Sequence, residues 1–178
     1  MMIKQILEIF NRKFFGETIE NLISKRAELD QMIIDLRAQL KQKSEIESPK
    51  PTGKLSYNET RSILNQLGVM NVYLADTQYS TCPKNDALLF QQKIGVNLRK
   101  YIAEDHDCDE FSFESMGYWN KDDYQYAYFI VWSNTHAFNL FIDDEKNIWI
   151  IEPQSAKFYS IDEARKIPNY FPMRTLIG

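Results

Sequence analysis

Of the 24 Phe, Tyr and Trp side chains in this 178-residue chain, 21 fall in residues 55–178, and that placement decides where a core can form. Only Phe10, Phe14 and Phe15 precede residue 55. The later segment is long and aromatic enough to build a core of ordinary domain size. Charge divides at the same place. Residues 1–54 carry 10 Lys and Arg against 8 Asp and Glu, whereas 55–178 carry 11 against 17. An acidic, aromatic body argues against nucleic acid as a partner. The 44% apolar and 26% charged composition excludes a wholly disordered or collagen-like chain.

Two cysteines, Cys82 and Cys108, are too few for a disulfide scaffold. No run approaches 18 uninterrupted apolar residues, so no membrane span is expected. The first ten residues resemble a signal peptide only briefly. Lys4 and Glu8 break the apolar run, Arg12 and Lys13 follow it, and no small-residue cleavage site appears.

Residues 17–43 read as one helix without Gly or Pro. Ile19, Leu22, Leu29, Ile33, Leu36 and Leu40 fit heptad a and d positions, with Arg26 the one misfit. The spacing predicts an N-terminal helical segment over 1–43, either a coiled coil that forms a homo-oligomer through 17–40 or a helix packed on its own domain. Residues 44–54 have the prolines and polarity of a linker. In the body, 55–178, helices are predicted at 57–67, from Asp86 to about Lys100, from Asp107, and near 162–166. Apolar runs at 124–132, 136–142 and 147–152 predict three strands of an antiparallel meander. Helices followed by a meander indicate an α+β fold.

The sequence Asp107-Cys108-Asp109-Glu110 has the pattern of a capping box, with Asp107 as N-cap and Glu110 three residues on. Cys108 would then open a helix, beside free N–H groups that favour a thiolate. The competing reading is a small structural cysteine on a short helix. His136, at the start of a strand, is the better of the two histidines to take a thiol proton, because His106 lies in a loop. Glu152 ends an apolar strand before Pro153 and could fix the imidazole tautomer. A three-residue loop at 143–145 would pair Ile142 with Lys146, and so set His136 opposite Glu152 on one face. A loop longer or shorter by one residue would separate the faces. Cys82 reads as structural. Trp119, Trp132 and Trp149 read as core or cleft walls. An oxyanion donor is expected from the Cys108 N–H or a side-chain amide, with Gln78, Gln91 and Gln92 all open. Asp105, Asp107, Asp109 and Glu110 crowd the cysteine with negative charge, which a divalent cation would relieve. Asp107 and Asp109 are the first candidate metal ligands, and Gln154 is an accessory candidate. The run is not an EF-hand, since the sixth position from Asp105 is Glu110 and the twelfth is Met116.

A helix-borne cysteine followed by His and Glu on an antiparallel sheet is a papain-like arrangement. Tyr73-Leu74-Ala75-Asp76-Thr77-Gln78-Tyr79, Asp107–Phe111, Ile130-Val131-Trp132, His136-Ala137-Phe138-Asn139 and Ile151-Glu152-Pro153-Gln154 occur in an order that resembles the C-terminal domain of the Marasmius oreades agglutinin family. That family includes related bacterial and phage proteins, and the resemblance spans roughly residues 57–160. It implies a papain-like cysteine protease (a thiol hydrolase) with Cys108 as nucleophile, His136 as base and Glu152 as orienting acid. It also implies dependence on Ca2+ and a peptide or protein substrate; no organic cofactor is expected, and without a signal peptide the setting is left open between cytoplasmic and phage-associated. The fungal sugar-binding β-trefoil has no counterpart here, so sugar binding is not carried over. The rival expectation is a non-catalytic oligomeric interaction module of a phage or cell-surface assembly that keeps the fold.

Overall fold

Residues 137–142 are apolar at every position except Asn139, and all six are buried, which makes this run the centre of the sheet. The computed structural model describes residues 19, 21–38 and 46–178. The chain divides into two units, Met1–Glu45 and Ile46–Gly178. In the first unit, residues 21–38 form helix α1. Leu40 and, apart from residue 19, the rest of the predicted 1–43 segment lie outside the described residues.

The second unit runs β1 (Gly53–Ser56), α2 (Tyr57–Asn65), β2 (Asn71–Tyr73), β3 (Gln78–Thr81) and α3 (Lys84–Lys93), then a 3-10 turn at Val96–Leu98. It continues with α4 (Cys108–Trp119), β4 (Tyr128–Trp132), β5 (Ala137–Ile142), β6 (Ile148–Glu152), β7 (Lys157–Ser160), α5 (Ile161–Ala164) and β8 (Thr175–Ile177). One sheet has the order β2-β8-β4-β5-β6-β7, and β1 pairs with β3 in a separate two-stranded sheet. Among the described strands, β2 and β8 pair in parallel and the other strand pairs are antiparallel. The fold is therefore mixed helix and sheet, with the predicted meander as β4-β5-β6.

Alternation along β5 divides the core between the two faces of the sheet. Phe138, Leu140 and Ile142 join Leu64, Tyr170 and Leu176 on one side. Phe141 joins Trp119, Phe90 and Tyr128 on the other. On that side Trp119 stacks on Tyr128 with centroids 4.7 Å apart, and meets Phe90 and Tyr126 edge-on at 4.9 and 5.2 Å. Its Nε1 donates to Gln91 Oε1 at 3.0 Å, an oxygen that also accepts from Ser115 and Tyr128.

Several expectations need correction. The linker prediction for 44–54 does not describe residues 46–54. Ile46 is buried, Ser48 N donates to Asp122 Oδ2 at 3.0 Å, and Tyr126 donates its hydroxyl proton to Pro49 O. Residues 53–56 are β1. An extended, proline-containing backbone offers its polar groups to the body, which polar composition alone does not reveal. The predicted 86–100 helix ends at Lys93, because Gly95 takes a left-handed conformation with φ 68°. The five strands outside the meander (β1, β2, β3, β7 and β8) were not predicted; each has only three or four residues.

Candidate active site

Cys108 is the first residue of α4 because Asp107 and Glu110 cap the helix reciprocally. Glu110 Oε2 accepts from Asp107 N at 3.0 Å, and Asp107 Oδ1 accepts from Asp109 N at 3.4 Å. The helix is then fastened to the sheet through buried polar groups. Ser112 donates Oγ–H to Cys108 O at 2.8 Å, while fully buried Asn139 donates to Ser112 O at 3.2 Å and Phe129 O at 3.3 Å. Asn139, the polar exception in β5, ties α4 to the sheet and so fixes the height of Cys108 above the end of β5. There Ala137 N donates to Cys108 Sγ at 3.4 Å.

His136 sits in the turn just before β5. Its N–H donates to Ser133 Oγ at 3.1 Å, and its carbonyl accepts from Ser133 N at 2.9 Å. Its ring lies on the Phe138 face and joins Glu152 through Nε2···Oε2 at 2.7 Å. An ionised carboxylate only accepts, so Nε2 carries the proton and Nδ1 is left as the basic nitrogen. Glu152 is held twice more. Tyr170 donates its hydroxyl to Oε2 at 2.9 Å, and Gln154 N donates to Oε1 at 3.2 Å. The Tyr170 ring also stands edge-on to His136 at 5.7 Å. Among the described residues, no hydrogen bond joins the Cys108 thiol to the His136 ring.

The register that brings His136 to Glu152 differs from the expected one. Ile142 pairs with Ile148 instead of Lys146, so Glu152 continues the ladder opposite Phe138 and reaches His136 diagonally. The loop is five residues long because buried Asp143 organises it. Its Oδ1 accepts from Glu145 N at 3.0 Å and Asn147 N at 2.8 Å, and Lys146 takes φ 66°. A shift of two residues preserves the face, so the pairing survives the longer loop. Tyr170, which steadies both members of the pair, was not anticipated.

Burial raises the Cys108 thiol above its ordinary pKa, the Ala137 N–H acts the other way, and the charges of Asp107 and Asp109 add to the rise. The carboxylate oxygens of Asp107 and Asp109 and the Cys108 sulfur all lie within 4.8 Å of one another. The side chains of Asp107 and Asp109 hydrogen-bond each other, which lowers the Asp107 pKa and raises that of Asp109. Two carboxyl groups this close form a place that a cation can occupy. The carboxylates are hard oxygen donors suited to calcium, whereas the thiol is not. Glu110 is committed to the helix cap, and Gln154 stands beside Glu152. Of the amides considered as oxyanion donors, Gln91 is excluded, since it is fully buried in the Trp119 network.

Cys82 contrasts with Cys108. It is completely buried, and burial together with Asp86, Asp144 and Asp143 pushes its thiol up to about 12. Iodoacetamide at neutral pH is therefore expected to add one label to the folded chain, at Cys108, and two after denaturation. Intact-mass spectrometry with peptide mapping checks this; rapid labelling of Cys82 in the folded chain would contradict it.

No family model matches the chain, and no curated protein matches it. Solved structures do. A PSL1a–E64 complex matches with a TM-score of 0.59 at 16% identity, over 70% of this chain and 51% of that one. Polyporus squamosus lectin bound to the human-type influenza-binding epitope Neu5Acα2-6Galβ1-4GlcNAc matches with a TM-score of 0.53 at 18% identity, over 70% and 49%. This chain spans about half the length of these structures. These findings correct the expected classification as a hydrolase or cysteine (thiol) protease, because these two structures are of lectin type and neither is described as a protease. At this identity the likeness concerns the fold: this chain shares a mixed helix-and-sheet architecture with part of a fungal lectin.

Proposed function

We propose that Cys108, His136 and Glu152 form an acyl-transfer site of papain-like arrangement acting on peptide or protein acyl groups. The observation that carries this reading is the 2.7 Å pairing of His136 Nε2 with Glu152, which leaves Nδ1 as the base beside the strand end where Ala137 N–H meets the Cys108 sulfur. In the reaction, His136 Nδ1 takes the thiol proton as Cys108 Sγ attacks the carbonyl carbon. The first-turn Cys108 N–H is placed to stabilise the oxyanion, and the leaving amine departs with the proton from His136. The resulting thioester is discharged by a second nucleophile, which His136 deprotonates. Glu152 holds the ring, as an orienting carboxylate does in other triads. E64, present in one similar structure, serves as a probe. A covalent E64 adduct on Cys108, absent in Cys108→Ala, is the expected result; an unmodified Cys108 would count against the reading.

Calcium belongs to the same proposal. Asp107 and Asp109 would hold it through carboxylate oxygens, and its charge would offset the two carboxylates that raise the thiol. Removing one of those charges should act in the same direction. Asp109→Asn is expected to lower the Cys108 pKa and increase the thiolate present at pH 7, speeding iodoacetamide labelling several-fold, given that one pKa unit is about tenfold. Calcium should speed the wild type but not the variant. Equal rates for wild type and Asp109→Asn, with no calcium effect on either, would remove both Asp109 and the ion from the account.

A second reading is favoured by the lectin structures themselves: a non-catalytic module whose partner is a carbohydrate. Calorimetry with Neu5Acα2-6Galβ1-4GlcNAc distinguishes the two. Saturable binding with an unreactive Cys108 would support the module, whereas a reactive Cys108 without binding supports acyl transfer.

A further inference from the structure

Leu22, Leu29, Ile33 and Leu36 lie on one stripe of α1, Ile19 continues its spacing, and each is between 45% and 61% exposed. Ile23 and Met32 border the stripe and are exposed as well. Alternating three- and four-residue spacing is that of a coiled-coil seam. The seam has one charged member, Arg26, whose Nε lies 3.8 Å from Asp30 Oδ2 on the same helix.

We infer that α1 docks against α1 of a second copy of this chain, in antiparallel orientation, to form a two-stranded coil. Self-complementarity selects the occupant and Arg26 selects the direction. In a parallel pair each Arg26 would face its own counterpart across the seam, setting like charges at one level. In an antiparallel pair centred between residues 27 and 28, Ile19 meets Leu36 of the partner copy and Leu22 meets Ile33. Arg26 then meets Leu29, so its methylenes cover the leucine while Asp30 draws the guanidinium outward. Every apolar seam residue between 19 and 36 gains a cross-helix partner, and the arrangement closes on its two-fold axis without leaving an open surface. This inference is independent of the thiol chemistry.

Light scattering coupled to size exclusion, on the full chain at tens of micromolar, tests the pairing. The expected mass is about 42 kDa, twice the 21.1 kDa of one chain. Leu29→Lys and, separately, Ile33→Lys should each return it to the single-chain mass. Both side chains are exposed, so circular dichroism should show the body still folded. Direction is read by disulfide formation in a Cys108→Ser background. A mixture of Leu22→Cys and Ile33→Cys chains should cross-link, and Leu22→Cys alone should not. A monomeric wild type, a trimer or tetramer, a dimer that survives both lysine variants, or self-linking of Leu22→Cys would each overturn the inference.

Discussion

Trp119→Ala is expected to cost about 3–5 kcal/mol of folding stability, the range for truncating a large buried aromatic residue. The indole is fully buried where α4 meets the sheet, stacked on Tyr128 and edged by Phe90 and Tyr126. Its removal opens a cavity among four other rings, Phe90, Tyr126, Tyr128 and Phe141. The polar part of the loss is small. Gln91 Oε1 would still accept from Ser115 at 3.1 Å and Tyr128 at 3.2 Å. Packing should therefore dominate, and Trp119→Phe, which removes the same N–H but keeps a ring, should lose distinctly less. With net stabilities of about 5–15 kcal/mol for ordinary domains, the alanine variant would sit near the threshold of folding. Urea denaturation followed by circular dichroism checks both variants. A loss below about 1 kcal/mol for the alanine variant would mean that the ring does not organise this face of the core.

The second large effect concerns chemistry. His136→Ala is expected to slow acylation of Cys108 by an activated ester such as p-nitrophenyl acetate by about 10²–10⁴-fold, the usual contribution of a positioned general base. Glu152→Gln should slow it less, since an amide oxygen can still accept from Nε2–H but offers no charge to the imidazolium. Glutamine is preferable to alanine at this position, because Glu152 also receives bonds from Tyr170 and Gln154 and a truncation would disturb all three. Release of p-nitrophenol with intact-mass detection of acetyl-Cys108 measures both variants. If His136→Ala acylates at the wild-type rate, His136 is not the base.

Local chemistry made part of this legible in the sequence. The Asp107–Glu110 spacing identified a helix start, and the cap forms with Cys108 as the first helical residue. Alternation along 136–142 identified one apolar face, which forms as expected with Phe138, Leu140 and Ile142. The pairing of His136 with Glu152 was reached through a mistaken loop, because nothing local to residues 143–147 announces that Asp143 will be buried and will bind the loop's own amides. Tyr170 and Asn139 were missed for related reasons. Tyr170 reaches Glu152 only through the path of the C-terminal segment, a tertiary fact without a sequence period. Asn139 did leave a signal, as the polar residue in an otherwise apolar strand, and buried amides of that kind are held by hydrogen bonds. Short strands such as β2 and β8 carry too few residues for alternation to register, and residues 46–49 are held by long-range bonds to Lys121, Asp122 and Tyr126.

The reactivity of the Cys108 thiol decides between an acyl-transfer site and a structural cysteine on a capped helix. The direct measurement is its second-order rate with iodoacetamide at pH 7, with and without calcium, in wild type and His136→Ala, against a free model thiol. The acyl-transfer account predicts that wild-type Cys108 reacts faster than the model thiol once calcium is present, and that His136→Ala loses most of that advantage. A Cys108 that reacts no faster than the model thiol under either condition, and is indifferent to His136, would contradict it.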